Sequence, residues 1–90
     1  MYNVAVVGAT GMVGRKMLEI LEEYQFPINS LSLFSSPRSA GEKIFWKNTE
    51  YTVELLDETS FDRPLDFAFF SAGGEISKKF APIAEAHGVV

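Results

Sequence analysis

Three glycines spaced three residues apart, Gly8, Gly11 and Gly14, stand between an apolar run and a helix-forming stretch in VAVVGATGMVGRKM, residues 4–17. Glycine weakens both strands and helices, so its repetition at one junction calls for a purpose that side chains would defeat. The run Tyr2 to Val7 is short, β-branched or small, and without alternation. That is the pattern of a central strand covered on both faces of a parallel sheet. From Met12 to about Tyr24, Val13, Met17, Leu18, Ile20, Leu21 and Tyr24 recur at helical spacing, with Arg15, Lys16, Glu19, Glu22 and Glu23 turned outward. Pro27 is expected to end this helix. Between strand and helix, Gly8 makes the tight turn, Gly11 lets main chain approach a pyrophosphate, and Gly14 lets the helix pack on the sheet. The N–H groups of Thr10, Gly11, Met12 and Val13 then face an anion at the positive end of the helix. A tight turn without ligand is the competing explanation.

The rest of the chain repeats this alternation. Ser30 to Phe34 reads as a second strand, followed by the polar loop SSPRSAGEK. Ile44 to Trp46 and the alternating Tyr51, Val53 and Leu55 suggest a strand pair joined near Lys47 to Thr49. Leu65 to Phe70 is another two-sided apolar strand, running into the small-residue loop Ser71, Ala72, Gly73, Gly74. A helix from about Glu75 to Ala86 should bury Ile76, Phe80, Ile83 and Ala84, be kinked or restarted by Pro82, and be capped by His87 and Gly88. Val89 and Val90 read as the first step of a further strand cut short. The whole is an α/β chain with a doubly wound, mostly parallel, Rossmann-type sheet and right-handed crossovers.

Two further positions on that plan bear on chemistry. At the end of the second strand, where NAD-binding proteins usually place an acidic residue against the ribose 2′-hydroxyl, the chain reads Ser35, Ser36, Pro37, Arg38, Ser39. Hydroxyls and a guanidinium suit a 2′-phosphate, which a carboxylate would repel. NADP is therefore expected over NAD, the alternative being that Arg38 is a solvated loop charge. The Ser71–Gly74 loop lies across the crevice and is expected to meet the pyrophosphate or the nicotinamide ribose through its backbone, unless it is a plain strand-to-helix turn.

Composition excludes other classes. The formal net charge of −4 argues against nucleic acid or an anionic membrane as partner. No apolar run reaches the ~18 residues of a membrane span, and the N-terminus has no signal peptide, so a cytoplasmic location is expected. With no cysteine among its 90 residues the chain offers neither disulfides nor a thiol nucleophile, and no metal-ligand spacing occurs. His87, the one histidine, is expected to lie far from the ligand loops. Glu22 with Glu23, and Asp57 with Glu58, read as solvated faces or turns. Phe45 and Trp46 read as packing residues, with any exposed half available to dock a partner domain.

Together VAVVGATGMVG, SSPRSAG and SAGGEISKKFAP, which follow in this order along nearly the whole chain, resemble the N-terminal part of aspartate-semialdehyde dehydrogenase. The resemblance implies that Thr10, Gly11, Met12 and Val13 hold the cofactor pyrophosphate, that Arg38 and Ser39 hold the NADP 2′-phosphate, and that the SAGG loop borders the nicotinamide. It departs locally, because the family motif often continues Ser-Ala-Gly-Lys and here Glu42 precedes Lys43, setting an acid near the proposed phosphate. It also departs in length, since family members are several times longer and carry their catalytic Cys, general-base His and substrate-binding Arg downstream of this region. The implied reaction is NADPH-dependent reduction of aspartyl phosphate to the semialdehyde through a thioester, in lysine, methionine and threonine biosynthesis. The resemblance further implies that residues 1–90 are the NADP-binding domain of a longer, homo-oligomeric enzyme, inactive without its substrate and catalytic domain. The alternatives are a free-standing NADP(H)-sensing module and part of a related acyl-phosphate reductase.

Overall fold

The computed structural model describes residues 2–71 and 74–88. Eight elements follow one another: β1 (Tyr2–Val7), α1 (Met12–Glu23), β2 (Ile28–Ser35), β3 (Lys43–Trp46), β4 (Thr49–Thr52), β5 (Glu54–Leu55), β6 (Phe67–Phe70) and α2 (Gly74–Ala86). The main sheet has the order β5-β2-β1-β6, and every pairing in it is parallel. β1 is central, as its unalternating apolar run predicts: Val4, Ala5, Val6 and Val7 are all wholly buried. Counting parallel strands alone, the order 3-2-1-4 is that of one half of a dinucleotide-binding fold.

The two faces of β1 feed two cores. Val4 and Val6 pack with Leu18, Leu21, Leu31, Leu33 and Trp46 on the α1 side. Ala5 and Val7 pack with Phe34, Phe61, Phe80 and Ala84 on the α2 side. Phe61, buried and 6.2 Å from Phe34 between ring centroids, lies in a polar loop where no periodicity marks it as core.

α1 begins where expected but is turned differently about its axis. Gly14, Leu18 and Leu21 are its buried residues, whereas Val13, Ile20 and Tyr24, expected inward, are 61%, 42% and 77% exposed. The cause is Gly14: a Cβ there would stand 2.2 Å from the Gly8 carbonyl oxygen and 2.8 Å from Ala9 Cα. That approach fixes which side of the helix faces the sheet and swings Val13 and Ile20 aside. Nor does Pro27 end the helix. Gln25 adopts a left-handed conformation (φ 52°), its N–H donating to the Glu22 carbonyl at 3.1 Å and that of Phe26 to Leu21 at 3.0 Å. This is a Schellman stop built without glycine, and it acts ahead of the proline.

The ribbon is also corrected. β3 and β4 form an antiparallel hairpin turned by Lys47 and Asn48, both at positive φ, and Thr49 already belongs to β4. Tyr51, Val53 and Leu55 do not share one strand: β4 stops at Thr52, and Glu54–Leu55 crosses to pair with the end of β2. Trp46 packs as expected, its indole N–H donating to the Leu18 carbonyl at 2.8 Å, while Phe45 is 71% exposed and does not pack.

β6 is shorter than the expected Leu65–Phe70 run. α2 starts one residue before Glu75 and continues unbroken through Pro82, so the restart expected there is not seen. Pro82 is exposed, which leaves the Lys78 carbonyl it cannot serve on the solvent side. Phe80, Ile83 and Ala84 pack inward as expected, while the side chain of Ile76 lies outside the described residues. His87 and Gly88 end the helix as anticipated, their N–H groups donating to Ala84 and Glu85 at 3.0 Å each, with Gly88 at φ 76°.

Candidate functional site

Val7 lies level with Phe34 and with Phe70, so β1, β2 and β6 deliver their C-terminal ends to one edge of the sheet. The chain leaves β1 through Gly8, whose φ of 85° is a conformation other residues seldom adopt. Its N–H donates to the Phe34 carbonyl at 2.8 Å, that of Ala9 to the same oxygen at 3.2 Å, and that of Gly11 back to the Gly8 carbonyl at 3.2 Å. The amide of Gly11, expected to face a ligand, is therefore occupied within the turn. The amides of Thr10, Met12, Val13 and Gly14 donate to no other described residue. The last three crown the first turn of α1, which carries no side-chain cap, and Thr10 stands just ahead of its N-cap Gly11. Arg15 Nε donates to the Thr10 carbonyl at 3.1 Å and pins the loop's outer limb.

Gly11 differs from Gly14 in what surrounds it. A Cβ on Gly11 would meet nothing nearer than the Gly8 carbonyl oxygen at 3.5 Å, an ordinary contact. Its φ of −76° also suits any residue. Nothing in the described protein requires glycine at position 11. A bound group that comes down onto this main chain would require it.

A cavity of about 380 Å³ opens there. Of the expected residues it brings together Gly8, Thr10, Gly11, Ser35 and Ser71. Its wall also includes Ser36 and Pro37 and four residues that were not among the expected site residues: Val7, Leu56, Lys79 and Phe80. Leu56 arrives because its N–H donates to the Ser35 carbonyl at 2.8 Å, and Phe80 because it belongs to the buried stripe of α2. Ser35 donates its hydroxyl to the Ser36 carbonyl at 3.0 Å. The Ser71 hydroxyl stands 2.8 Å from the Val7 carbonyl and 3.1 Å from that of Gly8, fastening the end of β6 to the glycine turn.

Other expected residues are not on this wall. The Met12 and Val13 side chains face outward, 89% and 61% exposed, and only their amides address the site. Gly14 serves helix packing, as anticipated. Arg38 and Ser39 sit beyond Pro37 on a turn closed by Ser39 N–H and Ala40 N–H to the Ser36 carbonyl, both at 3.1 Å. Arg38 is exposed and makes no ion pair or side-chain hydrogen bond with another described residue. Lys43 bonds the Thr52 hydroxyl at 2.6 Å, leaving Glu42 without an ion pair among the described residues. Ala72 and Gly73 lie outside the described residues, and Gly74 is the first residue of α2.

The acidic pairs have the structural roles expected. Asp57 accepts from the Thr59 hydroxyl and N–H at 2.6 and 2.8 Å, contacts that hold its carboxyl below the usual carboxylate range and fold the turn from 57 to 60. Among the described residues no three His, Cys, Asp or Glu side chains gather as metal ligands, and no helix is long and apolar enough to cross a membrane.

A parallel sheet with a glycine turn, a strand-end cleft and uncapped helix amides defines a dinucleotide-binding domain of the Rossmann type. The chain belongs to the semialdehyde dehydrogenase family through that family's NAD-binding domain, whose model matches residues 3–90. It is 48% identical to an aspartate-semialdehyde dehydrogenase of Aquifex aeolicus over 89 residues, covering 99% of this chain and 26% of that enzyme. It superposes with a TM-score of 0.94, at 44% identity, on aspartate semialdehyde dehydrogenase II of Vibrio cholerae complexed with ASA, covering 100% of this chain and 29% of the other. The enzyme of Candida albicans with NADP shares the fold, at TM-score 0.75 and 20% identity, over 100% of this chain and 28% of its own. The chain thus spans about a quarter of the length of the curated relatives it matches.

Proposed function

We propose that residues 1–90 are the NADP-binding domain at the N-terminal end of an aspartate-semialdehyde dehydrogenase-like oxidoreductase. In the intact enzyme they would hold NADPH for reduction of aspartyl phosphate to aspartate semialdehyde. The observation that carries the reading is Gly11, which the protein's own packing does not require, beside four amides without acceptors among the described residues. Bound there, NADPH supplies the hydride.

The chain's own residues bind and orient. Thr10, Met12 and Val13 present main-chain N–H groups to the diphosphate, assisted by the partial positive charge of the helix end. Arg38 and Ser39 hold the 2′-phosphate, and the loop from Ser71 to Gly74 borders the nicotinamide ribose. The thioester is not formed on these residues, because none of the 90 is cysteine. The chain alone is therefore inactive, and a cytoplasmic, homo-oligomeric parent enzyme belongs to the same reading.

Titration of NADPH and NADH against the wild-type chain and Arg38→Ala tests it. Loss of the guanidinium should weaken NADPH by about 1.5–3 kcal/mol and NADH little. Equal loss for both nucleotides removes Arg38 from the site, and no saturable binding of either by the wild type overturns the reading.

A further inference from the structure

We propose that Lys79 is a cofactor-selecting residue whose ammonium group answers the charge of the 2′-phosphate from the α2 side of the cavity; this rests on the NADP reading above. The described wall of the cavity contains one charged residue, and it is Lys79. Arg38, the cation that local sequence offers for the same phosphate, stands outside that wall, one residue past Pro37.

The placement of Lys79 also matters for what lies behind it. A second groove, about 390 Å³, adjoins the cavity and is lined by Leu56, Asp57, Glu58 and Thr59 together with Lys79 and Phe80. Leu56, Lys79 and Phe80 thus line both the cavity and a groove bearing two carboxylates. Asp57 is held firmly ionised by its contacts with Thr59, and the chain as a whole carries a net charge of −4. A phosphate dianion entering the cavity meets this field unless a cation offsets it, and Lys79 is the cation that borders both spaces.

Within the cavity the charge belongs to the ribose phosphate and not to the diphosphate. The glycine turn already supplies main-chain donors at the diphosphate end. Lys79 lines the cavity with both the glycine turn and the end of β2, but it also borders Leu56 and Asp57, which follow β5, and β5 pairs with the end of β2, where this fold positions the ribose 2′ group. Its amine rests 5.2 Å from the centroid of the Phe80 ring, an arrangement that holds the group near the cavity without using up its N–H donors.

The test is a titration of NADPH and NADH against the wild-type chain, Lys79→Met and Lys79→Arg, with far-UV circular dichroism to show that each variant is folded. Methionine keeps the length of the stem and removes the charge; Lys79 is exposed, so the fold should tolerate it. Lys79→Met should lower NADPH affinity by about tenfold while changing NADH by less than about threefold, and Lys79→Arg should retain NADPH binding. An equal fall for both nucleotides, or none for NADPH, overturns the assignment of Lys79 and leaves the NADP reading standing. A wild-type chain that binds neither nucleotide overturns both.

Discussion

A methyl group placed on Gly14 would fall 2.2 Å from a backbone oxygen, and one placed on Gly11 would stand 3.5 Å from the same atom. The two glycines of one motif therefore answer to different constraints, and alanine substitution separates them. Gly14→Ala must push α1 away from the end of β1, because the obstacles are main-chain atoms that cannot rotate aside. It should cost about 2–3 kcal/mol in urea denaturation. Gly11→Ala should change stability by no more than about 1 kcal/mol, since glycine there is only an N-cap of moderate quality. On the proposed function it should nonetheless lower nucleotide affinity by about tenfold or more, because the new methyl would project toward the diphosphate. A Gly11→Ala chain that binds as tightly as the wild type would show that the turn is shaped for packing alone.

Side chains tie the elements together where the backbone does not. Arg63, just ahead of β6, grips Glu54 of β5 with two hydrogen bonds of 2.9 and 2.8 Å and lies over the Phe34 ring at 5.1 Å. The pairing holds the Glu54 carboxyl below its ordinary range and anchors a strand only two residues long. His87 does the corresponding work at the end of α2. Its Nδ1 lies 2.9 Å from the Ile83 carbonyl oxygen and its Nε2 2.8 Å from Asp62 Oδ1. Both partners are acceptors, so only the doubly protonated ring satisfies both, and the Ile83 contact followed by Asp62 raises the histidine's pKa. A raised folded-state pKa means a contribution fully present below the unfolded value and lost as pH rises through the folded one. The stability gap between wild type and His87→Gln should thus be widest below about pH 6 and shrink toward pH 9. Denaturation midpoints measured across that span check it; a gap independent of pH would show that the charged contact contributes nothing.

β1 couples the two halves of the protein, because successive residues on it belong to opposite cores. Val6 faces the cluster that holds Trp46, and Val7 the cluster that holds Phe61 and Phe80. Both valines are wholly buried, so Val6→Ala and Val7→Ala should each cost about 2 kcal/mol. Because the damaged strand is common to both cores, each variant should unfold in a single transition, with Trp46 fluorescence and far-UV circular dichroism superimposing. Separate transitions by the two probes would mean that the faces of the sheet melt independently.

What the chain revealed unaided was the unit from Tyr2 to Glu23, together with the strand and helix that repeat it near the C-terminal end. A buried parallel strand, a glycine turn and an amphipathic helix are written in neighbouring residues, and each needs only short-range periodicity to be recognised. The glycine-turn end of the cleft was legible for the same reason. Helical periodicity, however, gives the spacing of a stripe and not its direction. Contact between Gly14 and the β1 turn, made only on packing, sent Val13 and Ile20 outward. Likewise the alternation of Tyr51, Val53 and Leu55 cannot say that the last of these has crossed to another sheet, because that depends on hydrogen bonds to β2, about twenty residues earlier. Leu56, Lys79 and Phe80 join the cleft through pairings between segments far apart in the chain. Backbone propensity acts over a few residues, whereas a cavity wall is assembled from whichever distant surfaces the sheet order brings together.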